Sequence, residues 1–131
     1  MRSDTSRRLK MSNRCTPFRI LRVEGDEASG WKPGTPTVFL NGPSDEQQPR
    51  FSPDGRWLAY ESWESGVVEI YVRPFPGPGG KSSISTGGGT NAVWSRARHE
   101  LLYLAPDRRI MVVPYTVAGD YVSGREAARV E

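Results

Sequence analysis

Arg50-Phe51-Ser52, then Pro53-Asp54-Gly55-Arg56, then Trp57-Leu58-Ala59-Tyr60-Glu61-Ser62 read as strand, turn and strand. The turn has a mechanism. Gly55 can take a positive φ at no steric cost, and the Asp54 carboxylate can accept bonds from nearby backbone N–H groups. Asp54 and Gly55 are therefore assigned a structural role in the turn. A further turn at Glu64-Ser65-Gly66 leads to Glu69-Ile70-Tyr71-Val72-Arg73, where β-branched and aromatic residues dominate until Pro74, Pro76 and Pro78 stop the run. Lys81-Ser82-Ser83-Ile84-Ser85 is a weak fourth strand; its polar content, with Ile84 alone expected to be buried, suits the outer edge of a sheet. Four strands joined by short turns make one antiparallel meander.

The meander then begins again. Phe51-Ser52 recurs as Trp94-Ser95 and Tyr60 as Tyr103, each 43 residues later, and Arg73-Pro74 recurs as Val113-Pro114, 40 residues later. Between these anchors Leu101-Leu102-Tyr103-Leu104 reads as a strand, Pro106-Asp107-Arg108-Arg109 as a turn and Ile110 to Tyr115 as the next strand. A period of about 40 residues with four strands per unit is the pattern of propeller blades. Working outward, Phe18 to Val23 and Val38 to Leu40 fall in the third and fourth strand places of a preceding blade. Ala28 to Pro36 between them has the Gly and Pro content of a loop. The expected fold is all-β, a partial β-propeller of four-stranded antiparallel blades. Residues 17–47 would end one blade, 48–90 form a full blade and 91–131 form a degenerate one.

Composition agrees with a turn-rich globular chain: 36% hydrophobic, 25% charged, with 14 Gly and 11 Pro in 131 residues. That length predicts one packed core rather than two. The net charge of +3 is uneven, with +5 in residues 1–24 and −2 in the remainder. Residues 1–16 are polar, charged and without period, and are expected to be a disordered basic extension. The extension lacks interleaved aromatics, so nucleic-acid binding is not expected. No stretch approaches the roughly 20 apolar residues of a membrane span, and the charged start does not lead into a signal peptide, so no direct membrane contact is expected. Cys15, the lone cysteine, has no internal disulfide partner.

The repeats resemble those of the TolB-like, WD-repeat-like propeller family, in which an aromatic precedes Ser-Pro-Asp-Gly, a basic residue and an Ile/Leu-Ala-Tyr/Phe strand, followed by Gly, an acidic residue and Ile-Tyr-Val. Phe51-Ser52-Pro53-Asp54-Gly55-Arg56, Leu58-Ala59-Tyr60, Gly66 and Glu69-Ile70-Tyr71-Val72 carry the resemblance. In the second repeat Arg96-Ala97-Arg98-His99 replaces Pro-Asp-Gly, which predicts a looser first hairpin or one without the Asp54 bonds. Arg73-Pro74-Phe75-Pro76-Gly77, with Ser85-Thr86-Gly87-Gly88-Gly89 after it, is similar to the repeats that follow the membrane segment in bacterial serine/threonine kinases of the eukaryotic type. That resemblance implies a membrane-anchored parent with an extracytoplasmic propeller. The kinase's own Gly-rich and His-Arg-Asp motifs do not occur in the chain.

Readings that would carry chemistry are weak. Gly80-Lys81-Ser82 lacks the Gly that a phosphate-binding loop needs five residues earlier, where Phe75 stands, and no helix is expected after it. Gly87-Gly88-Gly89 reads as a flexible link between blades. His99 is the only histidine and falls at a turn, where exposure is expected, and no nucleophile-elbow pattern accompanies it. No catalytic, cofactor-binding or metal-binding residue is assigned, and no cofactor is expected. Of the four tryptophans, Trp57 and Trp94 suit blade packing, whereas Trp31 and Trp63 stand in loops and are the candidates for contact with a partner. The function expected is a non-catalytic interaction or sensor module whose partner is a protein, a peptide or the missing blades of a larger propeller. The alternative is an accessory propeller of a prolyl-oligopeptidase-like hydrolase. With about two and a half blades, the isolated chain is expected to be weakly stable or to self-associate.

Overall fold

The Asp54-Gly55 turn closes as its residue types dictate, and the strands on either side belong to the first of two antiparallel meanders. The computed structural model describes residues 17–40, 42, 44–77, 79–118, 121–124 and 128–130, with backbone alone from residue 117 onward. Strands β5 (Glu46–Phe51), β6 (Trp57–Ser62), β7 (Glu69–Pro74) and β8 (Ser82–Ser83) form a four-stranded sheet in chain order. Strands β9 (Thr90–Trp94), β10 (Glu100–Leu104) and β11 (Ile110–Ala118) start the second sheet. Its outer edge is made by β12 (Tyr121–Gly124), paired with the end of β11, and β13 (Ala128–Val130), paired with its beginning. The fold is all-β, and no helix occurs among the described residues.

The two meanders repeat residue by residue. Phe51 pairs with Leu58 as Trp94 pairs with Leu101, and Trp57 pairs with Pro74 as Glu100 pairs with Pro114. Both inner strands carry a bulge at the same place, where Gln48 and Asn91, 43 residues apart, take φ of 53° and 55°. The closing bonds repeat as well: Ser52 N to Trp57 O and Ser95 N to Glu100 O, then Phe75 N to Arg56 O and Tyr115 N to His99 O. So do the edge-to-face ring pairs, Phe51 on Phe75 at 4.9 Å and Trp94 on Tyr115 at 5.3 Å.

Period-two alternation places the core between the sheets. Trp57, Ala59, Ile70 and Val72 of the first meet Ala92, Trp94, Leu101, Tyr103 and Val113 of the second, with Ile84, Met111 and Tyr115 packed at the rim. Polar bonds tie the sheets too. The Trp94 indole N–H donates to Arg50 O at 2.9 Å, and Asn91 N–H at the bulge donates to Glu61 Oε1 at 2.7 Å.

The chain divides into two compact units, residues 1–45 and 46–131. The apolar core described above lies wholly in the second unit, because β2 (Val23–Asp26) and β3 (Gly30–Pro33) of the first bury none of their residues. Two expectations give way. First, the Gly- and Pro-rich stretch at 28–36 is not all loop. β3 pairs with β2, and β1 (Phe18–Ile20) pairs with β4 (Thr37–Leu40). The reason is local: the Asp26 carboxylate accepts from Ser29 N at 2.6 Å and from the Ser29 hydroxyl at 2.7 Å, closing a tight turn that composition alone reads as loop. Second, Gly87-Gly88-Gly89 is not a free link. Glu69, buried in β7, accepts from Gly88 N at 2.9 Å and from the Ser85 hydroxyl, which itself accepts from Ile70 N at 2.8 Å, while Gly89 N donates to Val68 O. The basic extension at 1–16 and Cys15 lie outside the described residues.

Candidate functional site

The two inner hairpins set the site. In the first, Asp54 Oδ1 accepts from the Ser52 hydroxyl at 2.6 Å and from Arg56 N at 3.1 Å, and Ser52 Oγ accepts from Trp57 N at 3.1 Å. Gly55 sits at φ 71°, the left-handed conformation its lack of a Cβ permits. The Ser52 hydroxyl above all, and then the Arg56 N–H and charge, hold the Asp54 carboxyl below the ordinary aspartate range. In the second hairpin the carboxylate is gone. Ser95 Oγ accepts from Arg98 N at 3.2 Å, and Arg96, Ala97, Arg98 and His99 stand exposed on the turn.

Between these turns lies a groove in two adjoining parts. One, about 350 Å³, is lined by Asp54, Arg96, Arg98, His99 and Tyr115; the other, about 640 Å³, by Arg50, Phe51, Val93, Trp94 and Arg96. Pro53 and Arg96 border both. The His99 ring stacks on Tyr115 at 5.4 Å, and Tyr115 meets Trp94 edge-on behind it. Burial, and then the Asp54 carboxylate, push the Tyr115 phenol above its usual range, which fits a ring lying beneath both turns.

The residues singled out from sequence fall in different places. Trp31, in β3 of the first unit, is 61% exposed, and Trp63, at the turn after β6, is 50% exposed. Trp63 stands at the opposite end of β6 from the groove. Trp57 and Trp94 are core. Lys81 pairs with Glu64 and lies over the Tyr71 ring at 5.3 Å, and strand β8 rather than a helix follows it. Among the described residues no group of three or more His, Cys, Asp and Glu could hold a metal ion. No helix there is long and apolar enough to cross a membrane.

Sequence reasoning passed over two features. The Arg96-Ala97-Arg98-His99 turn was legible only as a departure from the repeat, yet it supplies the cations of the groove. Glu69 stood out only as the acidic position of the repeat, and its role as the buried acceptor for Ser85 and Gly88 emerges from the structure.

These features define a class: an all-β protein of repeated antiparallel meanders, with a basic and partly apolar groove between successive turns. No protein-family model matches the chain. Over 40 residues it is 48% identical to tricorn protease homolog 2 of Streptomyces coelicolor. That stretch is 30% of this chain and 3% of that protein, so the chain spans a small fraction of the relative it matches.

Proposed function

We propose that the chain is a non-catalytic part of a β-propeller that binds a protein or peptide through its turns. The observation that supports this reading most is the residue-for-residue equivalence of the two meanders, each packed as a propeller blade packs on the next. A second observation concerns the far face of the second sheet. Val93, Leu102, Leu104, Ile110 and Val112 stand there, the last four at the positions that Ala59, Glu61, Ile70 and Val72 hold on the first sheet, where the second sheet covers them. Val93 and Ile110 are exposed and the other three half-buried. Under this reading a further blade, or a second copy of the chain, covers that apolar face. Trp31 and Trp63 are additional contact points for a partner.

The parent protein belongs to the same proposal. The 40-residue likeness to a tricorn protease homolog favours a region that accompanies a protease, the alternative anticipated from the repeats, over the kinase parent, which the comparisons leave without support. The test is to incubate the purified chain with arrayed peptides of acidic, neutral and basic character and to follow binding and cleavage by mass spectrometry. Retention of intact peptide by the wild-type chain, lost or reduced on replacing turn residues, is expected. Turnover of peptide by the chain alone would overturn the non-catalytic reading, and failure to retain any peptide would overturn the binding reading.

A further inference from the structure

We infer that the groove between the two inner turns takes an acidic peptide carrying an apolar side chain. This rests on the reading of the chain as a binding module and names the chemistry of its partner.

The argument begins with charge. Arg50, Arg96 and Arg98 line the groove against one carboxylate, Asp54. That carboxylate is occupied within its own turn by Ser52 and Arg56. The cations are less committed. Arg96 is exposed and forms no hydrogen bond or ion pair with a described residue. The Arg98 side chain, 77% exposed, reaches Glu100 only at 3.9 Å. Arg50 donates to two neutral oxygens, of Pro49 and Gln48, which leave its charge uncompensated. Guanidinium groups in this state present a planar fork of donors that matches a carboxylate in two-point contact.

The apolar component comes from Phe51, which borders the same groove and is 46% exposed. A large apolar group left open beside cations suits a ligand with both characters. The strands that border the groove, β5 and β9, are the edges of their sheets, and an edge backbone offers unpaired N–H and C=O groups to an extended peptide.

Single-stranded nucleic acid is the competing anion. It binds grooves of this kind through a row of open ring faces on which bases stack. Here a row of open rings is lacking: Trp94 is 8% exposed and gives its N–H to Arg50 O, Tyr115 is closed between Trp94 and His99, and the open Phe51 is a single ring. The peptide is the better fit.

The probe is a fluorescein-labelled hexapeptide of sequence EELEFE, with KKLKFK as its charge-reversed counterpart and a labelled oligothymidine of about twelve nucleotides as the nucleic-acid arm. Fluorescence anisotropy against the full chain should show saturable binding of EELEFE. The double variant Arg96→Ala/Arg98→Ala, with an unchanged thermal midpoint, should weaken it about tenfold or more, and raising salt from about 50 to about 500 mM should weaken it in the wild type. The variant with Lys at both positions should recover part of the affinity. Equal binding of KKLKFK, an unchanged affinity in the double Ala variant, or tighter binding of the oligonucleotide would overturn the inference while leaving the module reading in place. Failure to bind any peptide of the array would overturn both.

Discussion

The Trp94 indole N–H donates to the main-chain oxygen of Arg50 at 2.9 Å, a bond between inner strands of successive meanders 44 residues apart. It ties the sheets at the point where Trp94 also fills the core between them. Trp57, in the same core, is also buried, but its indole N–H has no hydrogen-bond partner among the described residues.

That contrast gives a first prediction. Trp94→Phe and Trp57→Phe remove similar volume, but only the former takes the donor from a part-buried carbonyl. Trp94→Phe should therefore cost about 1 kcal/mol more than Trp57→Phe in denaturant unfolding. Equal costs would mean that the inter-sheet bond contributes nothing.

The second concerns Glu69. Its carboxylate is buried and accepts from the Ser85 hydroxyl and Gly88 N–H, so Glu69→Ala strands donors that water cannot reach. A loss of about 3 kcal/mol is expected, with Glu69→Gln costing less because one oxygen acceptor survives. Hydrogen exchange at Gly88 should quicken in the Ala variant, and an unchanged rate would argue that the segment is held by other means.

Gly55 and Gly89 separate conformational from steric cost. A Cβ at Gly55 meets nothing within 4 Å, but φ is 71°, so Gly55→Ala should cost about 1 kcal/mol through the backbone alone. At Gly89 the Cβ would fall 2.7 Å from Ser85 Cβ and 3.0 Å from a Tyr103 ring carbon, where both neighbours are packed. Gly89→Ala should be the more damaging of the two, by about 1 kcal/mol or more in thermal or denaturant melts.

The acid response of the first turn follows from Asp54. Its carboxyl is held below the ordinary value of 3.8 by the Ser52 hydroxyl first and the Arg56 N–H after it. A group lowered in the folded state contributes stability above its unfolded value, and that contribution is lost as pH falls through the folded one. Asp54→Ala should cost about 1 kcal/mol at neutral pH, and the difference from wild type should shrink as pH drops below 3.8. A difference that stayed constant down the acid limb would assign the turn's stability to Gly55 and the backbone instead.

On the far face of the second sheet, Leu104 stands where Glu61 stands in the first. Leu104→Glu places a charge on the apolar face proposed to take another blade, and should reduce any concentration-dependent self-association seen by sedimentation. Association of the variant equal to that of wild type would place the contact elsewhere.

Much of the fold was legible because the determining interactions are local. Asp54-Gly55 specifies its own turn, the apolar run Leu101 to Leu104 marks a strand, and the offsets of 43 and 40 residues specify which strands are equivalent. The hairpin at Val23 to Pro33 was missed because its Gly content was read as loop, whereas Gly25 and Gly30 take φ of 124° and 82° within the paired strands and the side chains of Asp26 and Ser29 close the turn. The site was less legible. Arg96 and Arg98 could be seen as departures from a repeat, but not as neighbours of Arg50 and Phe51, since that adjacency requires β5 and β9 to lie side by side.

By itself, then, the sequence determined that this chain is all-β, where its inner turns fall and which residues repeat, since backbone conformational preference and period-two burial act over a few residues. Tertiary structure alone decided that Glu69 holds the Ser85-to-Gly88 segment, that Trp94 reaches Arg50 and that three arginines share a groove. Each of these joins groups 16 or more residues apart or on different sheets, and their energies depend on burial and distance that no local pattern encodes.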